Sequence, residues 1–392
     1  MVPIPRPIDD VLARAGAARD AAADSPVHSE RTASWLGLAL GVSFSVCFVT
    51  GLLSHLIQVP PAWFTWTSRP AGLYRVTQGV HVATGIASIP LLLAKLWSVQ
   101  HHLVAWPPAR SPADVLERIS LVPLVGGSLF MLVSGWQNIN LWYPWAVFFP
   151  RAHYWVAWVT VGALITHVAA KVPVLRRALG SGARDVSPRA PGTLSRRGYL
   201  TLVAGAAAAL TLTTVGQTVG PLRHLAFFAP RRPDRGPQGV PVNRAAIEAG
   251  VVDRATASSY RLDVEGAVTR PLSLTLSDLQ GLAQREATLP ISCVEGWSAT
   301  ARWRGVGVGD LLALAGVGER RDVEVEVHSL EEGGAYNRSV LNHWHARDRD
   351  TLLALELGGE PLHLDHGFPL RLIGPNRPGV HQTKWVTRLV VR

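Results

Sequence analysis

Four charge-poor apolar runs dominate the first half of the chain and constrain its fold more than anything else: Trp35–Ile57, Thr77–Val99, Ile119–Trp136 and Tyr154–Ala170. Each is near the length of about 20 apolar residues that crosses a bilayer. A fifth run, Gly198–Gly220, is rich in Ala, Leu and Thr. One such run alone is compatible with a buried core helix, but five in succession describe helices in a lipid bilayer. From about Tyr260 the pattern changes to short alternating segments broken by Gly and Pro: Tyr260–Val264, Val323–His328, Leu370–Ile373 and Trp385–Val391. One helix is expected over Val308–Leu314 and another, short, near Arg244–Ala249. The expected chain is multidomain: an all-α transmembrane bundle of four helices plus a fifth anchor helix, then a mainly β (α+β) soluble domain.

Charge placement orients the spans. The net charge is +10, yet much of it is arginine in short loops between apolar runs, so no nucleic-acid partner is expected. With the N-terminus inside, the inner segments hold Arg6, Arg14, Arg19 and Arg31, then Arg110 and Arg118, then Lys171, Arg176, Arg177, Arg184, Arg189, Arg196 and Arg197. The outer loops hold only Arg69, Arg75 and Arg151. An odd number of spans then puts the C-terminal domain outside the cytoplasm. The expected order is a cytoplasmic segment (1–34), a transmembrane bundle (35–175), a basic loop (176–197), a fifth helix (198–220), a linker (221–254) and the soluble domain (255–392). Ser195-Arg196-Arg197-Gly198-Tyr199-Leu200 ahead of that fifth helix resembles a twin-arginine export signal, placed internally. Two ordinary inside arginines before a helix are the plainer alternative.

Ionisable residues at membrane depth are costly and mark candidate sites. His55, His81 and His153 are expected at one depth near the outer surface, on three helices. His167 follows His153 by 14 residues, close to four turns, which sets both on one face about 21 Å apart. For one histidine, a hydrogen bond to a loop carbonyl is the ordinary reading; for the set, a b-type haem with two axial imidazoles is favoured. Gly79, Thr84 and Gly85, with Gly126, Gly127 and Gly135, leave room for a flat macrocycle. This half resembles the cytochrome b561-like four-helix cytochromes, which commonly pair two histidines about four turns apart on each of two helices. Span four fits that pattern. Span two departs from it, because Lys95 stands 14 residues after His81. The resemblance implies an outer haem on His81 with His153 or His55. A second, inner haem would use His167, with His101 or His102 as distant partners, and Lys95 is then free to snorkel.

The two cysteines, Cys47 and Cys293, lie in the first apolar run and the soluble part, which excludes a disulfide scaffold. Cys293 ends the apolar run Leu289-Pro-Ile-Ser and is followed by Val-Glu-Gly-Trp-Ser. It can be a small core residue, a metal ligand, or a nucleophile with His366 or His381 as base. The segments Arg261-Leu-Asp-Val-Glu-Gly-Ala-Val, Leu289–Arg304, Asp365-His-Gly-Phe-Pro-Leu-Arg-Leu-Ile and Gly379-Val-His-Gln-Thr-Lys-Trp together resemble the molybdopterin-binding domain of the sulfite oxidase family, over about residues 255–392.

That resemblance implies that Cys293 ligates molybdenum, which a pyranopterin dithiolene also chelates. It implies basic cofactor anchors at Arg371 and Lys384, a polar contact at His366, further contacts at Gln382 and Thr383, and one at His328 or Ser329. Trp297 and Arg302 are candidates for the substrate pocket. The activity implied is oxygen-atom transfer coupled to two electrons, exchanged with the membrane haem and a quinone or other membrane donor or acceptor. The substrate expected is an S- or N-oxide, either a small molecule or methionine sulfoxide in exported proteins. Sulfite oxidation is the alternative, with Arg302, Arg338 and Arg377 as its cations. A non-enzymatic outer binding domain and a metal-free thiol hydrolase are the rivals from other classes.

Overall fold

The computed structural model describes residues 25–103, 112–144, 146, 148–180, 194–232, 234–319 and 322–392. Arg6, Arg14, Arg19, Arg110, Arg184, Arg189 and the side chain of His102, which figure in the expectations above, fall outside those residues.

Five long helices occupy the N-terminal half: α1 (Glu30–Gln58), α2 (Leu73–Leu103), α3 (Pro112–Ile139), α4 (Phe149–Leu179) and α5 (Arg196–Val215). All five are long and apolar enough to cross a membrane. They outrun the apolar stretches at most ends because helical hydrogen bonds carry on through polar residues: α4 continues past Lys171 to Arg176 and Arg177. α5 stops at Val215, before Gly216 and the Gly220-Pro221 pair, and the chain goes on in short 3-10 turns.

The described chain divides into two compact units, and the division does not follow the change in composition. One unit contains the described parts of Met1–Val49 and Ala83–Thr213. The other joins Thr50–Val82, the end of α1 and the start of α2 with their connection, to Thr214–Arg392.

In this second unit the alternating segments form two sheets. The first runs β2-β1-β10-β5-β6, from β1 (Arg261–Gly266), β2 (Leu272–Thr275), β5 (Val325–Ser329), β6 (Arg338–Leu341) and β10 (Val386–Val391). β1 and β10 are parallel and the other pairs antiparallel. The second sheet is β3 (Gln284–Ser292), β4 (Ser298–Gly307), β7 (Leu352–Leu357) and β8 (Glu360–Pro361), with β9 (Arg371–Ile373) also on β7. Short helices α6 (Val252–Thr256), α7 (Leu276–Gly281), α8 (Val308–Leu314) and α9 (His343–Ala346) complete the unit. The helix expected over Val308–Leu314 is present, whereas Arg244–Ala249 is turn rather than helix, closed by Ala249 N donating to Ala245 O.

The main core lies between the sheets, with Leu262, Val264, Val327, Leu353 and Leu389 from the strands and Leu311 and Leu312 from α8. A second core covers the far face of the second sheet and decides where Cys293 goes. Ala287, Leu289 and Ile291 take every second position of β3 and are buried in it. The same period carries Cys293, one residue beyond the strand, onto that face. Cys293 is 4% exposed.

Candidate functional site

The cysteine sits in a tight turn between β3 and β4. Cys293 N donates to Trp297 O at 2.9 Å and Gly296 N to Cys293 O at 3.1 Å. Gly296 makes the turn possible, with φ +90°, where an added Cβ would lie 2.8 Å from both γ carbons of Val82. A Gly296→Ala variant is therefore expected to be destabilised by about 1–3 kcal/mol, through backbone strain and the clash together. Adding Val82→Ala should recover only the clash. Thermal melts of the single and double variants separate the two contributions, and a Gly296→Ala protein as stable as wild type would contradict the assignment.

Asn243 completes the immediate surroundings of the thiol. Its Nδ2 donates to Cys293 Sγ at 3.0 Å and to Glu295 Oε1 at 2.8 Å. Trp297 Nε1 donates to Glu295 Oε2 at 3.2 Å and to Asn243 Oδ1 at 3.3 Å. The sequence reading missed Asn243: it lies 50 residues upstream in the linker, and no local pattern marks it. Burial, reinforced by the charge of Glu295, pushes the Cys293 thiol up, and burial pushes Glu295 up to about 7. A nucleophilic cysteine needs the opposite shift and an adjacent base. Here the side-chain donor to sulfur is an amide, and His366 Nε2 is engaged with Pro237 O at 2.7 Å.

From Asn243 the contacts run on to a cluster of cations, Lys384 half-buried and Arg371 buried. Lys384 Nζ donates to Arg244 O at 2.8 Å and to Asp365 O at 2.7 Å. Arg371 NH1 donates to His366 O at 3.0 Å, and the guanidinium lies 5.4 Å from the Trp303 ring centre. Arg371 Nε and Trp303 Nε1 are buried with no hydrogen-bond partner among the described residues. Gly367, at φ +108°, packs against both cations: a Cβ there would lie 3.1 Å from Lys384 Cα and 3.2 Å from Arg371 Cβ. Arg377, also buried, donates to the carbonyls of Val340 and His381 and to no other group among the described residues. Among the described residues no carboxylate forms an ion pair with Arg371, Arg377 or Lys384.

Buried positive charge without a counter-ion is costly and calls for a bound anion. Burial, with Arg371 nearby, pushes Lys384 down to about 7. A thiol flanked by hydrogen-bond donors, Lys384 linked to it through Asn243 and Arg244, and the buried Arg371 with no ion pair among the described residues fit a molybdenum cofactor ending in phosphate.

The neighbouring histidines record the same burial. It pushes His366 down to about 4, and His345 and His381 to about 3, with Arg371 opposing protonation of the first and Arg377 that of the others. Above pH 6.5 all three are neutral in both folded and unfolded chains. Between 6.5 and about 4 the unfolded chain takes up protons that the folded one refuses, so stability falls with pH by up to about 1.4 kcal/mol per unit per histidine. Cofactor-free protein should melt at progressively lower temperature across that window, less steeply in His366→Gln. A flat profile, or an unchanged slope in that variant, would count against the assignment.

The other expected site residues divide. Ser329 Oγ donates to Lys384 O at 2.8 Å, while His328, on the opposite side of β5, has its ring 3.4 Å from Glu326. Of the two, Ser329 is the one at the cation cluster. Gln382 spends both ends of its amide on the Gly374 backbone, at 2.8 and 2.9 Å, and Thr383 Oγ1 is bonded to Ser339 Oγ at 2.7 Å. Their side chains hold the loop together, and so does part of their backbone, with Gln382 N donating to Gly379 O at 3.1 Å and Thr383 O accepting from Leu372 N at 2.8 Å. Trp297 is beside the thiol, as described. Arg302 is not: it pairs across the sheet with Thr288, five residues before Cys293, or about 16 Å along the strand. Its guanidinium is 57% exposed and 3.9 Å from Glu286, because strand alternation turns it away from the face that buries Trp303.

Comparison with known proteins agrees with this geometry. Residues 249–392 match the family model described as the oxidoreductase molybdopterin binding domain. The chain is 33% identical over 162 residues to mitochondrial sulfite oxidase from Homo sapiens, covering 34% of this chain and 29% of that protein. It is 33% identical over 171 residues to nitrate reductase [NADH] 1 from Oryza sativa subsp. japonica, covering 36% of this chain and 19% of that one. The chain thus spans less than a third of the length of either relative. Among solved structures, the sulfane dehydrogenase SoxCD from Paracoccus pantotrophus matches at 27% identity and a TM-score of 0.31, over 34% of this chain and 38% of that one. The C-terminal segment carries an oxidoreductase molybdopterin-binding domain, similar to the matched parts of sulfite oxidase and nitrate reductase. In this chain it follows five helices apolar enough to span a membrane.

Proposed function

We propose that the chain is a membrane-bound oxidoreductase that moves an oxygen atom at a molybdenum held by Cys293, outside the cytoplasm, in exchange with a b-type haem among its helices. The observation that carries this reading is the thiol of Cys293 linked, through Asn243 and Arg244, to Lys384 and to Arg371, a buried guanidinium that forms no ion pair among the described residues. When bound, the cofactor supplies oxygen-atom transfer coupled to two electrons. Cys293 would hold the metal, and Arg371, Lys384, His366 and Ser329 would hold the pterin and its phosphate. Asn243 steadies the sulfur and draws charge from it. Glu295, pushed up to about 7 by burial, can gain or lose a proton near neutral pH beside the thiol. The test is metal and pterin analysis of the purified protein, with turnover of methionine sulfoxide, other S- and N-oxides and sulfite compared in one assay.

An S- or N-oxide is the favoured substrate, with electrons reaching the haem from quinol or another membrane donor. Sulfite oxidation needs several convergent cations, and of Arg302, Arg338 and Arg377 only Arg377 is buried. The twin-arginine reading of Arg196-Arg197 accords with this function, since a domain loaded with such a cofactor must be exported folded.

For the haem, the supporting observations are local. His153 Nδ1 lies 3.1 Å from Ser134 Oγ, the kind of hydrogen-bond contact that orients an axial imidazole. His81 packs on Gly51, where a Cβ would stand 2.7 Å from its ring, with Thr50 Oγ1 3.5 Å from Nδ1. His55 lies in the last turn of α1, and His167 lies on α4 with His153. Lys95 donates to Ala33 O at 2.7 Å, which accords with a role for Lys95 other than haem ligation. A reduced-minus-oxidised spectrum of the membranes should show a b-type signal that His153→Ala abolishes and Ser134→Ala shifts in potential. Wild-type membranes without that signal would defeat the haem assignment.

A further inference from the structure

The Cys293 turn is gripped from outside by a membrane-type helix. Gln78, on α2 and only 4% exposed, donates through Nε2 to Val294 O at 2.7 Å. Its Oε1 is buried with no hydrogen-bond partner among the described residues, a penalty that an apolar side chain of the same size would avoid. Val82, four residues on and therefore on the same helix face, is the residue seated against Gly296. One helix face thus meets the turn at two points, either side of Glu295.

The start of that helix is itself locked to the soluble fold by Asn376. All four of its polar groups are spent there: Nδ2 on Thr67 O at 2.8 Å, Oδ1 on Tyr74 N at 2.7 Å, N on Ala71 O at 2.9 Å, and O accepting from Trp66 Nε1 at 2.8 Å. Arg69 adds a bidentate pair to Asp348, at 2.9 and 2.8 Å. Two residues beyond Asn376, Pro378 bridges to Ser292, next to the cysteine. The contacts form a closed ring: Ser292, Pro378, Asn376, Tyr74, Gln78, Val294.

We propose that Gln78 is a positioning residue for the metal centre, its amide fixing the Val294 carbonyl and thereby the direction in which Cys293 presents its sulfur. This rests on Cys293 being the molybdenum ligand. The peptide that Gln78 holds follows the cysteine directly, so releasing it frees the backbone torsions that aim Sγ. A membrane helix thereby becomes part of the soluble catalytic unit.

The test uses the full-length protein with Gln78→Met, which keeps the length and removes the donor, and Asn376→Ala, which frees the start of α2 with Gln78 in place. In loaded protein, both should keep molybdenum, alter the Mo(V) paramagnetic signal, and lower kcat by about tenfold with KM within about twofold. In cofactor-free protein carrying Cys47→Ser, alkylation of Cys293 should speed up by about tenfold in either variant as the turn opens more often. Loss of molybdenum from Gln78→Met with faster alkylation also supports the role. A wild-type signal, kcat and alkylation rate in Gln78→Met would overturn it. Should wild-type protein bind no molybdenum, the reading of Cys293 as ligand fails, and the alkylation rates still decide whether Gln78 holds the turn.

Discussion

A Cys293→Ala variant should lose oxygen-atom transfer by at least about three orders of magnitude, the scale seen when a group that acts as part of a catalytic unit is removed. The loss should come without unfolding. Cys293 is a small side chain at the margin of the second core, and its turn is closed by backbone bonds that do not involve sulfur. Truncation there costs about 1–2 kcal/mol, which a domain of this size tolerates. Molybdenum content should fall, whereas circular dichroism and melting temperature should stay near wild type. Full molybdenum loading in this variant would remove the basis for the proposed mechanism. Retained turnover would do so as well.

The second large effect has opposite signs in the two states of the protein. Arg371 is 4% exposed and lacks a carboxylate partner, and burial works against its charge, with Trp303 as partial compensation. Without cofactor this guanidinium is a liability. Arg371→Met should leave the cofactor-free protein as stable as wild type or more stable by about 1–4 kcal/mol, the range found when buried ionic groups are replaced by apolar ones. The same change removes charge-assisted bonds worth about 1.5–3 kcal/mol each to a bound phosphate. Cofactor affinity should therefore fall about tenfold to a hundredfold. A purely structural arginine predicts the reverse pattern, with lower stability and unchanged loading. Thermal melts of both forms, with pterin quantified after release, distinguish the two.

Much of this site was legible in the sequence, for reasons that can be named. The period of two along Ala287, Leu289 and Ile291 points Cys293 inward whatever the surrounding fold. His366, Arg371 and Lys384 lie on short, strongly patterned segments, and the resemblance to a known domain gave them an order. Asn243 was not legible, since it reaches the thiol from a Pro- and Arg-rich linker and only the folded chain brings it there. The same holds for Gln78 and Asn376, separated by most of the chain and meeting through bonds between a helix start and a loop. Arg302 misled because proximity in sequence to Cys293 is not proximity along an antiparallel pair. Gln382 and Thr383 lie in the expected loop, but their side chains are consumed in building it.

The joining of Thr50–Val82 to the soluble domain changes how the two halves of the chain are understood. Composition marks a boundary near residue 220, between an apolar half and a polar one. Packing places the end of α1 and the start of α2 with the polar half. Arg69, Tyr74, Gln78 and Val82 all contact the domain that carries Cys293, the last two at the cysteine turn itself. A soluble fragment beginning after α5 would lack all four contacts, so expressing the domain alone should yield a less stable protein than the full chain.

Molybdenum K-edge X-ray absorption on the wild-type protein and on Cys293→Ala tests the central claim most directly. The account predicts a sulfur shell in the wild type that contains one more scatterer than the residual molybdenum of the variant. An identical sulfur shell in both, or wild-type protein free of molybdenum after expression with ample molybdate, would contradict it.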